Sequence, residues 1–161
     1  MATPAVIEQV RIAPGTADQI DSVMAVMESA FGERFGEAWT RSQLSGILPM
    51  AGVYLILAVD RASDSVVGFS LFRTIPGEAE LLLIAVSPGE QRRGVGTLLL
   101  EDFLKRARDE RLTRVHLEVR DGNPAIEMYR LSGFSPVGRR RNYYLAADGN
   151  RYDAITLAYE L

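Results

Sequence analysis

The chain has 161 residues, 47% of them hydrophobic and 24% charged, with 14 glycines and 7 prolines, which is the make-up of one globular domain rather than a collagenous or disordered chain. It has no cysteine and one histidine, His116, so a disulfide scaffold, a thiolate-ligated metal, an iron–sulfur cluster, a cysteinyl intermediate and a multi-histidine metal centre are all excluded. The formal net charge of −3 argues against nucleic acid as a main ligand, and no apolar run approaches the ~18 residues of a membrane span; with no signal peptide in Met1–Val10, the expectation is a cytoplasmic protein that binds neither nucleic acid nor membrane.

Taken in chain order, Val6–Ile12 alternates weakly and reads as a first strand. Thr16 or Asp18 can cap a helix running to about Phe31, with Ile20, Val23, Met24, Met27 and Ala30 on one face. Phe31–Pro49 is mixed and holds the only tryptophan, Trp39; Thr40 can cap a short helix through Ile47. Val53–Asp60 and Val66–Thr74 read as strands joined by Arg61–Ser65. Glu80–Val86 is almost continuously apolar, as in a strand buried on both faces at the centre of a sheet.

Gly94–Glu110 carries the strongest helical pattern, with Leu98, Leu99, Phe103, Leu104 and Ala107 forming its apolar face. Thr113–Arg120 alternates strictly. Val115, Leu117 and Val119 lie on one face, and Arg114, His116, Glu118 and Arg120 on the other. Pro124–Ser132 reads as a short helix stopped by Gly133, with Asn123 able to cap it. Phe134–Leu145 and Tyr152–Leu161 read as a hairpin around Asp148-Gly149. The pattern predicts a single α/β domain over residues 1–161, with a mixed sheet covered by helices.

Chemistry concentrates in Ile84-Ala85-Val86-Ser87-Pro88-Gly89-Glu90-Gln91-Arg92-Arg93-Gly94-Val95-Gly96-Thr97. A strand runs into a glycine-bearing loop that opens the best helix in the chain. The first N–H groups of a helix have no intrahelical acceptor and sit at the positive end of its dipole. Glycines let a ligand come close to the backbone, and arginines add charge, so the segment suits a phosphate or pyrophosphate. A Walker A loop fits poorly, because Val95-Gly96 stand where Lys-Ser/Thr belong. A dinucleotide fingerprint also fits poorly. Leu99 occupies its third small position, although Glu118 lies roughly 20 residues on.

Gln91-Arg92-Arg93-Gly94-Val95-Gly96 resembles the Q/R-x-x-G-x-G/A loop of the GCN5-related N-acetyltransferases (GNAT superfamily), placed as there after a central strand. Leu117-Glu118-Val119-Arg120, Asn123, Tyr129 followed by Gly133-Phe134, and Arg141-Asn142-Tyr143-Tyr144 with Asp153-Ala154 are similar to the RimI branch, whose members acetylate the N-terminal alanine of a ribosomal protein. The resemblance covers residues 53–161 well and the first 50 weakly. It implies a mixed, mostly antiparallel sheet of six or seven strands with about four helices, acetyl-CoA as co-substrate, no metal, and an N-terminal peptide as partner.

Residue by residue, the resemblance places the CoA pyrophosphate on the backbone of Arg92, Arg93, Gly94, Val95, Gly96 and Thr97, with Gln91 beside them. It sets the pantetheine arm along Ile84, Ala85 and Val86, in the manner of an added strand, and gives Asn123 a CoA contact. Glu118 becomes the general base, directly or through one water, and Tyr129 the acid for the thiolate. An α-amine of pKa about 7.7–8.0 needs only about 1 kcal/mol to reach its neutral form at pH 7, against about 4.6 for lysine, so a modest base serves an N-terminus. With no cysteine, direct transfer in a ternary complex is expected. Within the same superfamily, acetylation of a small amine or a lysine side chain is the alternative; a CoA-binding module without catalysis needs neither Glu118 nor Tyr129.

The interval from Glu118 to Tyr129 is one residue shorter than the RimI pattern, which bears on the Asn123 contact. Other readings of these side chains stay open. Glu118 could instead form a cross-strand ion pair with a flanking arginine, and His116 reads as structural. Arg139, Arg140 and Arg141 form either a solvated strand end or a contact to CoA or acceptor. Tyr143 and Tyr144 are candidates for the peptide entrance.

Overall fold

A computed structural model describes residues 1–161. The chain opens with helix α1 (Pro4–Gln9) and strand β1 (Val10–Pro14). The expected strand therefore begins four residues late. Thr3 Oγ1 accepts the Val6 N–H and Pro4 occupies the first turn, so a helix forms first. Val6 and Val10 are four positions apart, a spacing that serves a helix face as well as a strand, and both are buried.

Thr16 and Gln19 cap each other reciprocally around a short 3-10 turn that leads into α2 (Ile20–Phe31), and Thr40 and Gln43 do the same for α3 (Arg41–Ile47). Next come β2 (Val53–Asp60), β3 (Val66–Ile75), β4 (Glu78–Val86), α4 (Val95–Asp109), β5 (Arg114–Arg120), α5 (Ala125–Leu131), β6 (Ser135–Leu145) and β7 (Arg151–Glu160). Five helices stand where about four are expected, and the extra one is α1.

The seven strands make one sheet, β1-β2-β3-β4-β5-β7-β6, with β4 at its centre. Every neighbouring pair is antiparallel except β4 with β5. One face carries α1, α4 and α5 over a core that includes Val6, Leu99, Phe103, Leu117 and Tyr129; the other carries α2 and α3 over Met27, Leu44, Phe69 and Leu83. Full burial of such a side chain contributes roughly 1.5–3 kcal/mol, so each layer is fixed by several residues at once. No helix is long and apolar enough to cross a membrane.

The apolar run in β4 follows from its position. The register slips between Leu71 and Phe72, which leaves Leu82 as a bulged residue facing no partner on β3. Ala79 and Leu81 pack in the α4-side core, whereas Leu83 and Ala85 pack on the α2 side. The strand thus supplies both cores, as its composition predicts.

Candidate active site

The site begins where two central strands part. Parallel pairing of β4 with β5 runs from Glu78 opposite Arg114 to Leu81 opposite Leu117, and stops. Each strand continues with its outer partner, β4 to Val86 against Gly68 and β5 to Arg120 against Ala154. The inner backbone edges beyond Leu81 and Leu117 therefore face a gap instead of each other. This gap opens into a cleft of about 650 Å³.

At the β4 end of the cleft lies the glycine loop. None of the N–H groups from Arg92 to Thr97 donates to a backbone carbonyl. Arg92 (φ 63°) and Gly94 (φ 88°) both take the left-handed conformation. For a non-glycine residue such as Arg92 this costs about 1–3 kcal/mol. The result is a run of outward amides at the start of the 15-residue helix α4, where an anion is favoured. Gln91 Nε2 ties the loop to the strand by donating to the Val86 carbonyl at 3.0 Å.

Ile84, Ala85, Val86, Gln91, Arg92, Gly94, Gly96, Thr97, Glu118, Asn123 and Tyr129 all line this one cleft. Two expected residues do not. The Arg93 guanidinium turns to Glu90, at 2.7 Å, and to Gln9 of α1. The Val95 side chain is buried in the core, so only its amide is available to a ligand.

Glu118 projects from β5 with 12% of its side chain exposed. Its Oε1 lies 2.9 Å from Arg140 Nε, and its Oε2 accepts from Thr156 Oγ1 at 2.7 Å. The ion pair is real, but its partner is a distant arginine on β6 and not a neighbour on the same strand. His116, two residues away on the same strand, is set 3.6 Å from Glu78 on β4.

Tyr129 stands on α5, 4% exposed, its ring edge-on to Phe134. Burial pushes its hydroxyl well above the usual phenol range, and the nearby Tyr144 hydroxyl and Glu37 carboxylate add to the effect. Tyr144 also lines the cleft; burial and Glu37 raise it likewise, and its hydroxyl makes a long 3.4 Å hydrogen bond to the Glu118 carbonyl. Tyr143 is half exposed at the surface beside it, ring edge-on to Tyr144.

Glu37, in the segment between α2 and α3, is a cleft residue that sequence reasoning missed. Its carboxylate accepts from Arg120 Nε at 3.2 Å and from Asn123 Nδ2 at 2.8 Å. Both members of the Glu37–Arg120 pair are about nine-tenths buried, so losing either one costs roughly 3–5 kcal/mol. The Arg120 guanidinium also lies 3.6 Å from the centre of the Phe35 ring, and Phe35 meets Tyr152 edge-on. The segment is thereby fastened across the β5 end of the cleft. Asn123 is committed here: besides Glu37, its Oδ1 accepts the Ala125 N–H at 2.9 Å in a capping bond.

A family model described as the acetyltransferase (GNAT) family matches residues 20–134. The [Ribosomal protein bS18]-alanine N-acetyltransferase of Salmonella typhimurium is 40% identical over 98 residues, which are 60% of this chain and 66% of that enzyme. The match to these curated relatives thus spans about two thirds of their length or less. The crystal structure of the ribosomal-protein-S18-alanine N-acetyltransferase from Escherichia coli superposes with a TM-score of 0.83 at 26% identity, covering 94% of this chain and 93% of that one. Ard1 from Thermoplasma volcanium superposes with a TM-score of 0.78 at 28% identity, over 95% and 98% of the two chains.

Proposed function

For a chain that belongs to the acetyltransferase (GNAT) family, we propose the transfer of acetyl from acetyl-CoA to a protein N-terminal α-amine, the acceptor being the N-terminal alanine of a small-subunit ribosomal protein. The single observation that carries this reading is the parting of β4 from β5, with a run of free amides at one end and Glu118 and Tyr129 on the opposite wall. The alanine acceptor is supported by the likeness to the Salmonella enzyme.

The residues present suit acetyl-CoA. The amides of Arg92–Thr97 receive the pyrophosphate, and the free edge of Ile84–Val86 pairs with the amides of the pantetheine arm. A β4 amide on that edge stabilises the oxyanion formed when the amine adds to the thioester carbonyl. Glu118 takes the proton of the acceptor ammonium, directly or through one water. Arg140 and Thr156 each occupy one lone pair on its two oxygens, and a carboxylate has about four, so acceptor sites remain.

Collapse of the tetrahedral adduct breaks the carbon–sulfur bond and expels the thiolate. Tyr129 is the donor to that sulfur. The thiolate of a thiol of pKa about 8.5 is too weak a base to deprotonate fully a phenol raised above about 10, so Tyr129 holds the sulfur by a hydrogen bond, and the proton that the nitrogen sheds as the amide forms ends on the thiolate. Its proton is present throughout the working pH range. Asn123, held by Glu37 and Ala125, lines the cleft with its second Nδ2 hydrogen left for a contact to CoA.

The test is an acetylation assay with peptides that differ only in the first residue, with N-terminally blocked, lysine-containing peptides alongside. Alanine-first peptides are expected to be the best acceptors. Faster acetylation of the blocked lysine peptides would overturn the N-terminal reading.

A further inference from the structure

The run Arg139-Arg140-Arg141 divides its work within β6. Arg139 is taken up by two carboxylates, Asp121 and Asp153, each at 2.8 Å. Arg140 instead reaches across β7 to Glu118. The three strands line up for this. Glu118 on β5 faces Thr156 on β7, and Thr156 faces Gly138 on β6, which presents no side chain. Arg140, two residues on, lies on the same face as Gly138 and folds over the row.

A bulge brings a second group to the same place. Arg140 is opposite Ala154 and Tyr144 is opposite Tyr152, so four steps of β6 lie against two of β7. At about 3.3 Å per residue, a span of about 13 Å is folded into about 7 Å. Arg140, just before the bulge, meets the Glu118 carboxylate, and the bulge brings Tyr144 back to its carbonyl. The bulge is held by Asp153, which accepts the Asn142 N–H at 2.9 Å, with Asn142 in the left-handed region at φ 55°.

We infer that Arg140 and Thr156 form a two-point clamp that aims the Glu118 carboxylate at the acceptor amine. They are positioning residues, since they act through Glu118, and the inference rests on reading Glu118 as the base. Exposure supports the division of roles. Glu118 is 12% exposed and Arg140 is 63% exposed, so the arginine reaches in from the surface to fix a group already committed to the cleft. A carboxylate with both oxygens fixed keeps one rotamer, and a misplacement of about 1 Å in a reacting group can cost on the order of 10²-fold in rate.

The test is a set of double-mutant cycles with an alanine-first peptide. Arg140→Gln is expected to lower kcat by roughly tenfold, and Thr156→Val by several-fold, with the KM for acetyl-CoA and the thermal midpoint unchanged. Thr156→Ser keeps the hydroxyl and should retain most of the turnover. In a Glu118→Gln background, adding Arg140→Gln should change kcat by less than about twofold. Losses that simply add in the double variant overturn the clamp and leave Glu118 standing as the base. A Glu118→Gln protein that turns over at the wild-type rate overturns the base itself, and the clamp falls with it.

Discussion

Tyr129 is placed by packing and kept protonated by burial. Its ring sits in the α4-side core against Phe134, while the residue still lines the cleft, so one side chain belongs to both. Removing only the hydroxyl leaves the core contact intact. Tyr129→Phe is therefore expected to bind acetyl-CoA normally and to lose kcat by about 10²-fold or more; turnover near wild type in a stopped-time assay would remove Tyr129 from the mechanism. The ion pairs of Arg120 and Arg139 differ in kind. Glu37–Arg120 is buried on both sides and holds the α2–α3 segment down. Arg139, nearly half exposed between Asp121 and Asp153, gives a surface pair of the sort usually worth 1 kcal/mol or less. Glu118 and Tyr129, which line the cleft, stand out in the sequence through the family resemblance; alternation alone leaves Glu118 as readily an ion-pair partner, and a tyrosine at helical spacing reads as core. Glu37 is not legible. Its partners Arg120 and Asn123 lie 83 and 86 residues away, and nothing in the Glu33-Arg34-Phe35-Gly36-Glu37 run announces them.

Among the elements, β6 lies at the sheet edge with nearly every residue exposed, while β7 beside it buries Ala154, Leu157 and Ala158. The Asn142 N–H and the Arg139 guanidinium hold the Asp153 carboxyl below its ordinary value near 3.8. The sign follows from that depression. Its contribution to folding is complete above about pH 3.8 and is lost as the pH falls through the lower folded value. On acidification the bulge should therefore loosen as Asp153 protonates, which NMR exchange of the Asn142 amide would detect. An Asn142 amide still protected when α4 unfolds would show that Asp153 does not hold it. The strands, helices and hairpin are largely legible from periodicity and turn residues, but this bulge is not. The turn residues Asp148-Gly149 mark Phe134–Leu145 as one arm of a hairpin, whereas the extra residues between Arg140 and Tyr144 are defined only against β7. The N-terminal helix is the converse case, where valines spaced by four satisfied two periodicities and the Thr3-Pro4 cap decided between them.

For the molecule as a whole, a net charge of −3 coexists with a site for a polyanion, because a loop of free amides and a helix end act locally where formal charge is summed globally. The parting of β4 and β5 has a further consequence. A sheet normally exposes unpaired backbone only at its two outer strands, and proteins blunt such edges because they recruit other chains. Here two more edges stand in the interior of the sheet, on the central strand and its neighbour. Such edges accept any extended segment, a foreign chain as well as the proposed pantetheine arm. Acetyl-CoA should then act as a guard against self-association as well as a reactant. Heated with saturating acetyl-CoA, the protein is expected to scatter less light and to aggregate more slowly than the ligand-free form, while NAD gives no such protection. Equal aggregation under both ligands would mean that the inner edges are already shielded by the fastened α2–α3 segment.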